Sequence, residues 1–152
     1  AASFGIGLAI EFYPPSQIRT LAEALAEIAR IGRADIGVTL DLLHIMRGGD
    51  VPASMALLSH PSIRIAQIAD GPAHMAADRV EWEAGIQRLL PGEGTFDISA
   101  FVAALDPQLP LSVETPRQSA LDAGLYALDR ASAAVNAIRA SLDHGRAIPV
   151  PR

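Results

Sequence analysis

The sequence predicts an α/β fold with a parallel sheet, on three observations. Four short apolar runs of β-like composition alternate with stretches whose apolar residues recur at helical spacing, the pattern of repeated strand–helix units. The third run, Ile63-Arg-Ile-Ala-Gln-Ile-Ala69, alternates only weakly between apolar and polar residues, as a strand covered on both faces does. Each run also finishes on or near an acidic or amide side chain, namely Glu11, Asp41, Gln67 and Glu114. Strand ends at one rim are where parallel sheets carry function, in doubly wound folds and in barrels alike.

The elements follow in order. The first strand, Gly7-Leu-Ala-Ile-Glu11, is followed by Pro14-Pro15, which blocks its continuation. Ser16 is the expected N-cap of a helix with Ile18, Leu21, Leu25 and Ile28 on one face, Arg19, Glu23, Glu27 and Arg30 opposite, and Gly32 as C-cap. The second strand is Ile36-Gly-Val-Thr-Leu-Asp41. After Leu42-Leu-His-Ile-Met46, Gly48-Gly49 makes a break, and a helix is expected over residues 51–58. Pro52 sits in its first turn, where a missing N–H costs nothing. Residues 70–94 are long for a connection between a strand and a helix, with room for a short helix over 76–86. Asp97 caps a helix reaching Leu105, and the fourth strand, Leu111-Ser-Val-Glu114, stops before Thr115-Pro116. One long alanine-rich helix is expected over 120–142 and an extended tail over 148–152.

Composition narrows the function. The 152 residues are half hydrophobic, enough for one domain with a sizeable core. Net charge is −5 and all 12 cations are scattered arginines, so no basic stripe suits a nucleic acid. No cysteine is present, which excludes disulfides and thiolate metal sites. No apolar run reaches the ~18 residues of a membrane span, and Ala1-Ala-Ser-Phe lacks a signal-peptide pattern, so a cytoplasmic protein is expected. The absence of a starting methionine suggests a fragment or a processed chain.

Parallel strands that end at a common rim would bring Glu11, Asp41, Gln67 and Glu114 to one point. Three carboxylates and an amide oxygen suit a hard divalent cation. Each residue also has a plainer reading. A strand-end glutamate can cap the next helix, His44 can be an ordinary loop histidine, and a buried Gln67 can bond to a backbone carbonyl. Arg88 precedes the Pro91-Gly-Glu-Gly94 turn, where it could bind an anionic or hydroxylated substrate or simply belong to the turn. Asp70 and His74 are ambiguous, Trp82 is a lid, an apolar wall or core, and His60 and His144 look incidental. No Gly-x-Gly-x-x-Gly or Walker pattern follows a strand, so a nucleotide fold has little support.

The ordered set Glu11, Asp41-x-x-His44, Gln67-x-x-Asp70, Arg88-x-x-Pro91-Gly92-x-Gly94 and Val113-Glu114 resembles the xylose isomerase-like TIM-barrel superfamily. That group includes sugar phosphate isomerases and epimerases, inosose dehydratases and isomerases, 3-dehydroshikimate dehydratases and a type-IV endonuclease branch. The resemblance runs from Leu8 to about Leu142 and corresponds to strands five to eight of the barrel. It therefore implies that residues 1–152 are the C-terminal half of one barrel domain. A whole barrel takes roughly 250 residues, so the N-terminal half would be a missing partner and the outer strands open edges.

The resemblance further implies that Glu11, Asp41, Gln67 and Glu114 are metal ligands, with Mg²⁺, Mn²⁺ or Co²⁺ as the cofactor. Glu11 and Glu114 would be catalytic, and His44 and Arg88 would bind the substrate. Many epimerases of the group carry histidine where Gln67 stands, whereas glutamine is more like the 3-dehydroshikimate dehydratases and some isomerase-like members. The implied chemistry is proton abstraction beside a carbonyl of a sugar or other polyhydroxylated keto compound, through an enediolate. An isomerase or epimerase is placed slightly ahead of a dehydratase of the 3-dehydroshikimate or inosose type. The alternative from another class is a non-catalytic half-barrel that forms a homo-oligomer through its open edges.

Overall fold

The computed structural model describes residues 1–49 and 51–143. It holds a four-stranded sheet in the order β1 (Leu8–Glu11), β2 (Ile36–Asp41), β3 (Ile63–Ile68), β4 (Leu111–Val113). β1 pairs parallel with β2, and β2 parallel with β3. Helices α1 (Leu21–Ile31), α2 (Leu42–Arg47) and α3 (Val51–Ala56) occupy the first two connections, and α4 (Val80–Ile86) and α5 (Ile98–Ala103) the third. Helices α6 (Gln118–Asp122) and α7 (Ala127–Asp143) follow β4. The predicted α/β class and parallel sheet are present, as one part of a barrel. Among the described residues no helix is long and apolar enough to cross a membrane.

Two compact units can be distinguished. One comprises residues 1–67 with 104–112, and the other residues 68–103 with the described residues from 113 onward. In the first, Leu21, Ala24 and Ile28 of α1 are buried, as are Val38 and Leu40 of β2, Leu42, Leu43 and Ile45 of α2, and Leu58. The buried positions of α1 recur three and four apart; Leu21 and Ile28 belong to the stripe read from the sequence, whereas Ala24 is buried and Leu25 only half-buried. In the second, Phe96, Ile98, Phe101, Val102 and Leu142 are buried, and α5 packs against α7.

Several boundaries differ from expectation for local reasons. Thr20, not Ser16, caps α1. The Thr20 side chain accepts from Glu23 N at 3.3 Å while Glu23 Oε2 accepts from Thr20 N at 3.1 Å, a reciprocal capping box. Ser16 instead closes a tight turn with Ile18, which leaves Ile18 outside the helix. Gly32 is the C-cap as expected, with φ +69°. Residues 42–47, for which the sequence predicts no element, form α2 directly after β2. The long C-terminal helix is two helices, because Gly124 takes a left-handed φ of +76° between them. His144 and residues 148–152 lie outside the described residues.

Gly37 answers to space. A Cβ there would stand 2.6 Å from the Ser62 carbonyl oxygen, the same oxygen that accepts from Val38 N at 2.8 Å, beside a register irregularity at Val38/Thr39. Gly37→Ala is expected to destabilise the fold by about 1–3 kcal/mol through overpacking. Thr20→Ala should cost about 1 kcal/mol through the lost cap. Urea unfolding of both variants measures the order.

Candidate metal centre

Glu11 is the last residue of β1, and its register partner on β2 is Thr39. Asp41 lies two residues beyond Thr39, and its register partner on β3 is Gln67. Register partners, and residues two apart along a strand, point to the same side of a sheet. Glu11, Asp41 and Gln67 therefore project from one face at the carboxyl ends of adjacent strands.

Asp41 is fully buried, and its carboxylate divides its work. Oδ1 accepts from Leu43 N at 2.7 Å and from His44 N at 3.3 Å, so it caps α2. That cap sets His44 in the first turn of the helix, where its imidazole turns back over the strand end. His44 Nε2 stands 3.5 Å from Asp41 Oδ2 and 3.4 Å from Glu11 Oε1. These separations exceed the 2.7–3.2 Å of a good N–H···O bond. Two ligands about 2.1 Å from a tetrahedral ion lie about 3.4 Å apart, which is the spacing found. Ligand atoms of Glu11, Asp41 and His44 all fall within 4.8 Å of one another. Gln67 adds a further sign, because its Oε1 is buried and accepts no hydrogen bond. Such an acceptor costs about 1–3 kcal/mol unless something donates to it or binds it. The donor set of two carboxylates, an imidazole and an amide oxygen fits a divalent ion of the Mg²⁺, Mn²⁺, Co²⁺ or Zn²⁺ kind.

A sequence profile of xylose isomerase-like TIM barrels matches residues 1–147. The chain belongs to the xylose isomerase-like TIM barrel family. It is 34% identical over 101 residues to a 3-dehydroshikimate dehydratase of Pseudomonas aeruginosa, a match covering 64% of this chain and 16% of that protein. Among solved structures it resembles the IOLI protein with a bound zinc atom, at TM-score 0.77 and 21% identity over 96% of this chain and 52% of that one. It also resembles a D-psicose 3-epimerase solved in the presence of D-fructose, at TM-score 0.67 and 18% identity, covering 94% of this chain and 50% of that one. The chain thus spans a sixth to about half the length of these proteins.

The first unit brings together Glu11, Asp41, Gln67 and His44. His44, read from the sequence as a substrate group, occupies the third corner of the ligand triangle. The second unit brings together Arg88 and Glu114, whose Nη2 and Oε2 are 3.7 Å apart, with Arg88 buried. His74 is exposed. Trp82 is also exposed, its ring stacked on the Arg79 guanidinium at 3.8 Å, so it is not core. His60 accepts from Ser62 N at 3.1 Å and serves a turn.

Two aromatic neighbours of the site escaped sequence reading. Tyr13 and Phe12 meet the His44 ring edge-on, with centroids 5.0 and 6.3 Å away. Their placement directly after Glu11 was the available signal. Phe12 is wholly buried, and Tyr13 is held by its N–H to the Ile18 carbonyl at 2.8 Å. The pair limits the imidazole to one orientation.

Gln67→Leu separates the two roles of this amide. Removing an unsatisfied acceptor should leave metal-free stability unchanged or raise it by about 1 kcal/mol. Loss of an oxygen ligand should weaken divalent-metal binding about tenfold or more. Thermal unfolding with and without added Mn²⁺ distinguishes them, since Mn²⁺ should raise the midpoint in the parent and not in the variant.

Proposed function

We propose that the protein is a divalent-metal-dependent enzyme that removes a proton beside the carbonyl of a polyhydroxylated keto compound. The observation that carries the reading is the triangle of Glu11, Asp41 and His44 on the strand-end face that also bears the unsatisfied oxygen of Gln67. Glu11, Asp41 and Gln67, with His44 beside them, would hold the ion, and the resemblance adds Glu114 as a further ligand. The zinc in the IOLI relative supports a metal and widens the candidates beyond Mg²⁺, Mn²⁺ and Co²⁺. When bound, the ion would supply Lewis acidity to the substrate carbonyl and hydroxyl oxygens.

The residues would supply the rest. Glu11 is partly exposed at the strand end and can take or return a proton. Glu114, with the Arg88 guanidinium 3.7 Å away, would act as a general base. Arg88 has donors to orient a hydroxyl or an anionic substituent. His44 would either ligate the ion or donate to a leaving hydroxyl. Residues 1–152 would form the C-terminal half of the barrel, with part of the substrate wall supplied by the other half.

Dehydration and isomerisation share this first step. The 34% identity to a 3-dehydroshikimate dehydratase, together with glutamine at position 67, favours a dehydratase. The second reading, a sugar isomerase or epimerase, has the likeness to the D-psicose 3-epimerase behind it, at an identity that speaks for fold alone.

Elemental analysis of the full-length protein is expected to find about one divalent ion per chain. A product screen should show turnover of 3-dehydroshikimate, or failing that of an inosose or ketohexose. Glu11→Gln and Glu114→Gln are each expected to lower turnover by about 10²-fold or more. Absence of metal together with near-native turnover in either variant would overturn the reading.

A further inference from the structure

The second unit contains a buried carboxylate to which none of the above assigns a task. Asp70 is 1% exposed. Its Oδ1 accepts from Gly71 N at 2.8 Å and Phe96 N at 3.0 Å, and its Oδ2 from Gly92 N at 3.0 Å and Gly94 N at 2.9 Å. Four backbone donors on one carboxylate make a charge-assisted anchor for the loop that follows Arg88. The loop sequence answers to this anchor. Gly92 has φ +88°, and a Cβ on Gly94 would stand 2.2 Å from Asp70 Oδ1 and 2.4 Å from the Gly71 carbonyl oxygen, so only glycine lets the backbone come this close.

The anchor leads to Arg88. Asp70 N donates to the Leu89 carbonyl at 3.1 Å, and Leu89 N to the Asp70 carbonyl at 3.2 Å. This antiparallel bridge lies one residue from Arg88. Arg88 N in turn donates to the Pro116 carbonyl at 2.8 Å, two residues after Glu114. The arginine is thus held between two backbone attachments. Its side chain is buried, Nε donates to the Ala84 carbonyl at 2.9 Å, and the far end of the guanidinium faces Glu114.

We propose that Asp70 is a positioning residue. Its carboxylate fixes the register of residues 88–96 and thereby holds the Arg88 guanidinium opposite Glu114. The proposal rests on the reading above only where it links Arg88 to substrate.

Asp70→Asn tests it, because the amide has the carboxylate's shape but only one acceptor atom. Two of the four N–H groups would then face an NH₂. Gly94→Ala displaces the same loop while leaving the carboxylate intact. In full-length protein, below the lower unfolding midpoint of the two variants, hydrogen exchange at Arg88 Nε–H is followed by NMR with the amides of Gly92, Gly94 and Phe96. Both the side-chain and the backbone protons are expected to exchange about tenfold faster or more in each variant. The metal dissociation constant should change by less than the tenfold or more expected for Gln67→Leu, because neither Asp70 nor Gly94 supplies a ligand. With a substrate in hand, KM should rise about tenfold, and Asp70→Asn should add nothing further once Arg88→Ala is present. Unchanged protection of Arg88 Nε–H while the loop amides lose theirs would overturn the proposal. Loss of Arg88 protection with no change of KM, in these variants and in Arg88→Ala, would uphold the positioning and remove Arg88 from the reaction.

Discussion

A carboxylate wholly withdrawn from water at the β2–α2 junction governs the candidate site. Burying an isolated charge costs several kcal/mol, so Asp41 persists there only because its oxygens are engaged. Two N–H groups of the first turn of α2 take Oδ1. They would otherwise be orphaned at a helix start, so the capping bonds offset two desolvation costs at once. The geometry that results is what matters for function. With no loop between strand and helix, His44 lies within 3.5 Å of Oδ2, and Glu11 on the next strand closes the triangle. If Asp41 were moved by one residue, its side chain would pass to the other face of the sheet, and cap and triangle would be lost together.

The second unit applies the same device at larger scale. Asp70 ends the third strand region as Asp41 ends the second, and it too is buried and held by backbone N–H groups, here four of them. One aspartate orders a helix and the other a loop. In both cases a strand-end carboxylate replaces water as the partner of main-chain donors, and a side chain with chemical potential, His44 or Arg88, is held in place as a result. Gln67 differs from these two aspartates. Its oxygen is buried without a hydrogen bond, which is reasonable for a group whose partner arrives with function and costly for one whose role is structural.

Much of this was legible in the sequence, for identifiable reasons. Strands β2 and β3 were readable because a run covered on both faces is apolar along its length. Helix α1 was readable because its core stripe and Gly32 obey local rules. The strand-end residues were readable because their spacing matches a family whose profile covers residues 1–147. The failures were also local in origin. Ser16 and Thr20 are both competent caps, and the choice fell to Thr20 because Glu23 three residues on completes the reciprocal bond. The break at Gly124 was hidden by an alanine-rich stretch whose propensity is helical on either side. Helix α2 was missed because six residues carry too little periodicity to register. Its existence depends on the Asp41 cap, which is a single side chain's hydrogen bonds and leaves no periodic trace.

By itself the sequence determined the class of fold, the order of its strands, the family, and the identity of the acids and the amide at the strand ends. These follow from the spacing of apolar residues and from residue type, both local properties of the chain. Only the tertiary structure decided that His44 shares a triangle with Glu11 and Asp41, that Tyr13 and Phe12 restrain its ring, and that Asp70 orders the loop beside Arg88. Those relations depend on distances of about 3–6 Å between residues up to 33 positions apart. Strand register and backbone hydrogen bonding set such distances, and neither can be read from spacing along the chain.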